Sequence, residues 1–78
     1  MITEVPFPAM SSEPNTEGVV GAWFVGHGEN VTEGQVIAEV QVEKVSQDVE
    51  APVAGIMYQY VAEGVAIRQG ESIARIDS

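Results

Sequence analysis

Seventy-eight residues, 45% of them hydrophobic, allow one small domain spanning residues 1–78 and one thin core. The absence of cysteine excludes a disulfide framework, a thiolate metal site and a thiol nucleophile. A net charge of −9 argues against partners with a phosphate backbone or an anionic lipid surface, and no run reaches the ~18 apolar residues of a membrane span. Only three basic side chains occur, Lys44, Arg68 and Arg75, so the chain has a single lysine.

Residues 1–8 read as an edge strand. Val5 and Phe7 share a face, while Pro6 and Pro8 remove ladder donors. Residues 9–17 form a polar loop before a strand beginning at Gly18. From there glycine or proline recurs every six to ten residues, and short runs rich in Val, Ile and aromatics lie between. This is the pattern of an all-β sandwich or barrel, and no sustained 3.6-residue period argues for a helix.

The chain also resembles itself. Residues 20–40 shifted by 36 meet residues 56–76: Val25 falls on Val61, Gly28 on Gly64, Gly34 on Gly70, Ile37 on Ile73 and Ala38 on Ala74. Val20/Ile56, Phe24/Tyr60, Val31/Ile67 and Val40/Ile76 are like for like. Each half is too small to bury its own apolar face, so two copies packed face to face predict two antiparallel sheets related by a pseudo-twofold axis. Gly55 to Gly64 spans nine residues where Gly18 to Gly28 spans ten, which places a bulge or slipped strand in the second half, near Tyr58 and Tyr60.

Residues 41–51 join the halves. Val36, Ala38, Val40 and Val42 alternate with Ile37, Glu39, Gln41 and Glu43; Val45, Gln47, Val49 and Ala51 alternate with Ser46, Asp48 and Glu50. Two strands in phase require a two-residue loop, and Glu43-Lys44 is the only candidate. The register then pairs Val42 with Val45, Ala38 with Val49, and the like charges Glu39 with Asp48. Tight hairpins favour Asn-Gly or Asp-Gly, so Glu-Lys breaks a local rule at the one lysine. The pattern alone leaves two readings, a functional residue or a solvated tip. A catalytic lysine needs burial or a neighbouring cation, and a tip beside Glu43 supplies neither. A protruding amine on a stiff ribbon is instead suited to acylation by another enzyme.

The segment 37–55 resembles the attachment segment of lipoyl and biotinyl domains. In these an acid- or Met-flanked lysine precedes (Asp/Glu)-Val-x-(Ser/Ala)-Pro-x-x-Gly, matched by Lys44, Asp48-Val49, Ala51-Pro52 and Gly55. Glu17-Gly18, Trp23, Val25, Gly28-Glu29 and Val31 are similar to the family's upstream motif, and Pro8-Ala9-Met10 to its opening. Biotin acceptors typically carry Met-Lys-Met and lipoyl acceptors Asp-Lys-Ala, so Glu43-Lys44-Val45 looks like a lipoyl acceptor, with Glu43 and Val45 flanking for ligase recognition.

The resemblance implies a flattened barrel-sandwich hybrid of about four strands per sheet. It further implies lipoic acid in amide linkage to Lys44, attached by a lipoate-protein ligase or lipoyl transferase. The partners it implies are those of a 2-oxo acid dehydrogenase complex: a thiamine-dependent decarboxylase, an acyltransferase core and dihydrolipoyl dehydrogenase. The chain would be a non-catalytic carrier with no metal site, in a bacterial or archaeal cytoplasm or a mitochondrial matrix. Loop 10–16 looks like the loop beside the modified hairpin that helps partners recognise it. The alternatives are a biotin carboxyl carrier and an unmodified interaction domain of the same fold.

The remaining residues read blandly. His27, between two glycines, is a surface turn residue, and one histidine without Gly-x-Ser-x-Gly does not make a serine triad. Trp23 reads as core, with a partner-facing surface as the alternative.

Overall fold

The glycine-bounded runs all form strands. The computed structural model describes residues 1–13 and 15–78; Pro14, within the expected 10–16 loop, lies outside the described residues. In chain order the strands are β1 (Ile2–Pro6), β2 (Glu17–Trp23), β3 (Glu29–Val31), β4 (Val36–Val42), β5 (Val45–Glu50), β6 (Gly55–Gln59), β7 (Ala66–Arg68) and β8 (Ser72–Asp77). They make two four-stranded antiparallel sheets, β1-β8-β6-β3 and β5-β4-β2-β7, in a body of 33 × 20 × 19 Å. The expected all-β two-sheet architecture is what the chain adopts. Among the described residues no helix is long and apolar enough to cross a membrane.

Exchanging β1 with β5, β2 with β6, β3 with β7 and β4 with β8 converts one sheet order into the other, which is the predicted pseudo-twofold. The halves are not two layers laid face to face, however. β3 of the first half pairs with β6 of the second, and β7 of the second pairs with β2 of the first. Each half lends its short strand to the other's sheet, so neither can complete a sheet alone.

Two irregularities correct the sequence register. A bulge between Val36 and Ala38 leaves Ile37 without a partner on β5 and turns Ile37 and Ala38 both inward, fully buried, where strict alternation placed Ile37 on the wet face. The same bulge recurs between Val5 and Pro6 opposite β8, where Ile73 and Ala74 are both buried. The repeated Ile-Ala dipeptide is therefore the mark of a duplicated bulge.

The second correction concerns the nine-versus-ten spacing. β6 pairs with β8 without interruption, while β2 carries an extra residue, Gly21, between Val20 and Ala22 opposite β4. The bulge lies in the first half, not the second. Val20 thus occupies the place of Met57 rather than Ile56, and both are fully buried. Phe24 and Tyr60 match in sequence but are 56% and 43% exposed, so that pair is not core.

The core holds Val5, Phe7, Val20, Val31, Ile37, Val40, Val42, Met57, Ile67, Ile73 and Ile76 with smaller neighbours, and no described buried side chain is polar. Val5 and Phe7 share the inward face as expected. β2 can press against β4 because residue 18 lacks a side chain: a Cβ there would lie 2.5 Å from the Gln41 carbonyl oxygen and 2.5 Å from Phe7 Cζ. At the twofold-related Gly55 the same atom would lie 2.5 Å from the Asp77 carbonyl oxygen.

Gly18→Ala should therefore destabilise the domain by roughly 1–3 kcal/mol, because the obstruction is backbone and a core ring. Gly21→Ala meets only the Gln41 side chain, at 3.1–3.5 Å, and should stay within about 0.5 kcal/mol of the parent. Urea denaturation midpoints of the two variants check the contrast.

Candidate functional site

The Val36–Val42 and Val45–Glu50 strands pair in the register read from the sequence: Val42 opposite Val45, Gln41 opposite Ser46, Glu39 opposite Asp48 and Ala38 opposite Val49. Glu43 and Lys44 are the two-residue turn. Glu43 is the only described non-glycine residue with positive φ, at 55°. Positive φ at the first turn position alone is the sign pattern of a type II′ turn, which normally places glycine there. The rule broken in the sequence thus appears as local backbone strain on the residue before the lysine.

What holds the strained turn is the apolar seam beneath it. Val40 and Val42 are buried, and the Val42 side chain and Phe7 ring fill the space beside Gly18. Beyond Val42 the ribbon leaves the core: residues 43–48 are all exposed, Val45 by 57%. The alternation in β5 therefore buries only Val49, followed by Ala51, and not Val45 or Gln47. β5 is an edge strand with one neighbour, and its turnward residues 45–48 are all exposed.

Lys44 is exposed, and among the described residues it stands in no ion pair. The one ion pair there joins the N-terminal ammonium to Asp77 at 3.8 Å. Glu43 and Val45 flank Lys44, both exposed. The result is a primary amine held two residues beyond a fixed, buried valine, open to a visiting active site. Every described buried side chain is apolar, so the polar groups of the described residues lie at or near the surface.

Among its described residues, loop 10–16 is tied to the rest of the fold by Gln69. Gln69 Oε1 accepts from the backbone N–H groups of Met10 (2.6 Å) and Ser11 (2.9 Å), and its Nε2 donates to the Thr16 carbonyl (2.9 Å). Met10 packs on the core. The loop leads into Glu17 and Gly18, and the Val42 side chain fills the space beside Gly18, so the loop enters the sheet at the end where the hairpin turns. Gln69 carried no signal in the sequence, since it reads as one polar turn residue among many.

The other candidates lie elsewhere. His27 is an exposed turn residue as expected, and it also closes the end of β6: its Nδ1 accepts from the Gln59 N–H at 2.9 Å and its ring meets Tyr58 edge-on at 5.5 Å. Trp23 is half-buried, packed on the core, with its indole N–H donated to the Val61 carbonyl at 3.1 Å. With Phe24, Val25, Gly26, Gln59, Ala62 and Glu63 it lines an open groove. Trp23 pairs with Ala38, four residues or about 13 Å of strand from Val42, so the groove is not part of the tip.

Glu43→Gly removes the strain and should hold or raise stability by up to about 1 kcal/mol, whereas β-branched Glu43→Val should lower it by more than about 1 kcal/mol. Lys44→Arg should leave the unfolding transition within about 0.5 kcal/mol of the parent. Thermal denaturation of the three variants reads all of these.

Comparison with known proteins agrees with this geometry. A family profile described as "Biotin-requiring enzyme" (biotin/lipoyl) matches residues 3–76. The probable mitochondrial dihydrolipoyllysine-residue succinyltransferase component of the 2-oxoglutarate dehydrogenase complex of Schizosaccharomyces pombe is 39% identical over 74 residues, 94% of this chain and 16% of that protein. The corresponding component of Bartonella vinsonii subsp. berkhoffii is 36% identical over 63 residues, 81% of this chain and 15% of the relative. The lipoamide acyltransferase component of the branched-chain alpha-keto acid dehydrogenase complex of Bacillus subtilis is 32% identical over 78 residues, 99% of this chain and 18% of the relative. The chain thus spans less than a fifth of the length of these relatives. With a two-sheet pseudo-twofold fold, a lysine at a hairpin tip and a match from end to end, the chain belongs to the biotinyl/lipoyl attachment family.

Proposed function

We propose that Lys44 is the attachment point for lipoic acid, joined by an amide between Nζ and the lipoate carboxyl carbon, and that the domain is a lipoyl carrier. One observation carries this reading: the only side-chain amine stands exposed, without an ion pair among the described residues, at the tip of a ribbon anchored by Val40 and Val42. Relatives whose names speak of a dihydrolipoyllysine residue or of lipoamide support lipoate as the group, and a 2-oxo acid dehydrogenase complex as the setting. The family description, which names biotin, is the observation on the side of biotin.

When bound, the group supplies a dithiolane that carries acyl groups and reducing equivalents between enzymes. The chain's own residues root the arm. Acylation removes the lysine charge, taking the net value from −9 to about −10. The four-carbon stem supplies reach, and the hairpin fixes where that reach begins. Tethering raises the effective concentration of the carried group at each partner site without new contacts.

The partners are a lipoate-protein ligase or lipoyl transferase, a thiamine-dependent 2-oxo acid decarboxylase, an acyltransferase core and dihydrolipoyl dehydrogenase. Loop 10–16 and the flanking Glu43 and Val45 bias their recognition. Relatives from bacteria and one named as mitochondrial support a bacterial or archaeal cytoplasm or a mitochondrial matrix as the location.

A single lysine makes the test unambiguous. After incubation with lipoate, ATP and a lipoate-protein ligase, trypsin should no longer cut after Lys44 while still cutting after Arg68 and Arg75, and the intact mass should rise by one lipoyl group. Lys44→Arg should remain unlabelled with its fold intact. A biotin adduct formed in a parallel reaction with a biotin ligase, in place of the lipoyl one, would move the assignment to a biotin carrier. No adduct in either reaction would leave an unmodified interaction domain.

A further inference from the structure

Under the pseudo-twofold, β5 corresponds to β1, and both are edge strands. Residues that close a two-residue hairpin exchange both backbone hydrogen bonds. Val42 and Val45 close this one, so Val45, Gln47 and Val49 bond inward to β4, and Ser46, Asp48 and Glu50 turn their N–H and C=O groups outward. Nothing among the described residues covers them, since no backbone bond outside the β4 ladder involves these three positions. On β1 the outward positions are Ile2, Glu4 and Pro6, because Met1 and Ser78 exchange backbone bonds at 2.8 and 2.9 Å. Pro6, which has no N–H, stands where β5 has Glu50. One edge is blunted and the other left open.

The charges differ in the same sense. On β1, Glu4 faces Arg75 across the ladder and accepts from the Tyr60 hydroxyl at 3.0 Å. Arg75 in turn lies over the Tyr58 ring at 4.6 Å. At the equivalent place on β5, Asp48 faces Glu39, a like-charged pair. Glu43 and Glu50 extend the same sign along the ribbon. A second copy of the chain would bring the same acids against this edge, which repels self-pairing. A strand carrying Lys or Arg would relieve the Glu39–Asp48 repulsion while satisfying the outward donors and acceptors.

We propose that the outer edge of β5 is the docking edge for the enzyme that acylates Lys44, which adds a basic strand of its own beside Ser46, Asp48 and Glu50. The inference rests on the acceptor role of Lys44. It assigns the edge to the acylating enzyme because the bare lysine is short: its amine reaches a foreign active site only if that enzyme sits against the ribbon. Enzymes that act on the extended arm need not touch β5. Main-chain pairing supplies affinity in such strand addition, and the acid pair sets charge preference and approach.

The test measures kcat/KM for acylation by a lipoate-protein ligase. Asp48→Pro deletes one outward donor and leaves the inward ladder intact, a position where an edge strand tolerates proline. It should lower kcat/KM by about tenfold or more, roughly the worth of one lost main-chain bond. Asp48→Asn keeps the donor and removes the charge, and should cost less while flattening the salt dependence. Folded Asp48→Pro acylated at the parent rate would overturn the proposal. Should that variant fail to fold, amide exchange on the parent chain decides. Slowing at Ser46, Asp48 and Glu50 on mixing with the ligase supports the edge, and unchanged exchange there overturns it. Failure of the parent chain to be acylated at all is a different result, which removes the acceptor role and this inference together.

Discussion

The structure depends on an apolar seam in which β4 and β8 each lie at the middle of a sheet and turn consecutive Ile-Ala pairs inward. With no cysteine and no described buried polar side chain, that packing must offset the backbone entropy of ordering a small chain. The seam closes only because the halves interleave. β3 and β7 complete the opposite sheets, so each half's apolar face is covered by the other, and the fold forms as one unit. The near-contact of β2 with β4 at Gly18, and of β6 with β8 at Gly55, fixes how closely the central strands can lie.

Because the core is saturated with Val, Ile and Ala, chemistry is pushed to the surface. The hairpin is continuous with the seam up to Val42 and leaves it at the next residue, so the rigid and exposed parts of the ribbon are separated by a single peptide. The carrier role proposed for Lys44 needs that boundary. The root must stay fixed while the side chain moves, and a lysine inside the seam would carry a desolvation cost while one far beyond it would sit on a floppy loop. The positive φ of Glu43 is the local signature of forcing a tight reversal without glycine.

Much of this is legible in the sequence, and the failures share a cause. The hairpin register follows from period-two alternation, because a one-residue slip would expose Ala38, Val40 and Val42, all of which are buried. The repeat yields the twofold because Gly28 and Gly64, and Gly34 and Gly70, sit at matching left-handed turns, with φ of 82°, 82°, 85° and 91°. Bulges defeat the same logic. An extra residue shifts the phase without changing composition, so alternation assigns Ile37 to the wrong face and leaves Gly21 unrecognised as the inserted residue. The exchange of β3 and β7 between sheets is also hidden, since it is a matter of long-range pairing that local pattern does not encode. Gln69, which ties down the loop beside the site, is invisible for the same reason: its partners are more than fifty residues away in the chain.

A duplicated unit begins with equivalent edges, and what distinguishes them afterwards is informative. Here the backbone positions match closely enough that Asp48 and Glu4, and Glu39 and Arg75, occupy corresponding places. Stability alone would favour the same solution on both sides, opposite charges at facing register positions and a proline at the end of the edge. β1 has that solution, with Arg75 held further by the ring of Tyr58. β5 lacks each part of it, and β5 is the strand that follows the lysine. A like-charged cross-strand pair costs only a few tenths of a kcal/mol on a solvated face, too little to threaten the fold yet enough to favour a cationic visitor over another copy of the chain. The asymmetry is local to the ribbon, which points to contact along its outer edge rather than to the packing of the core.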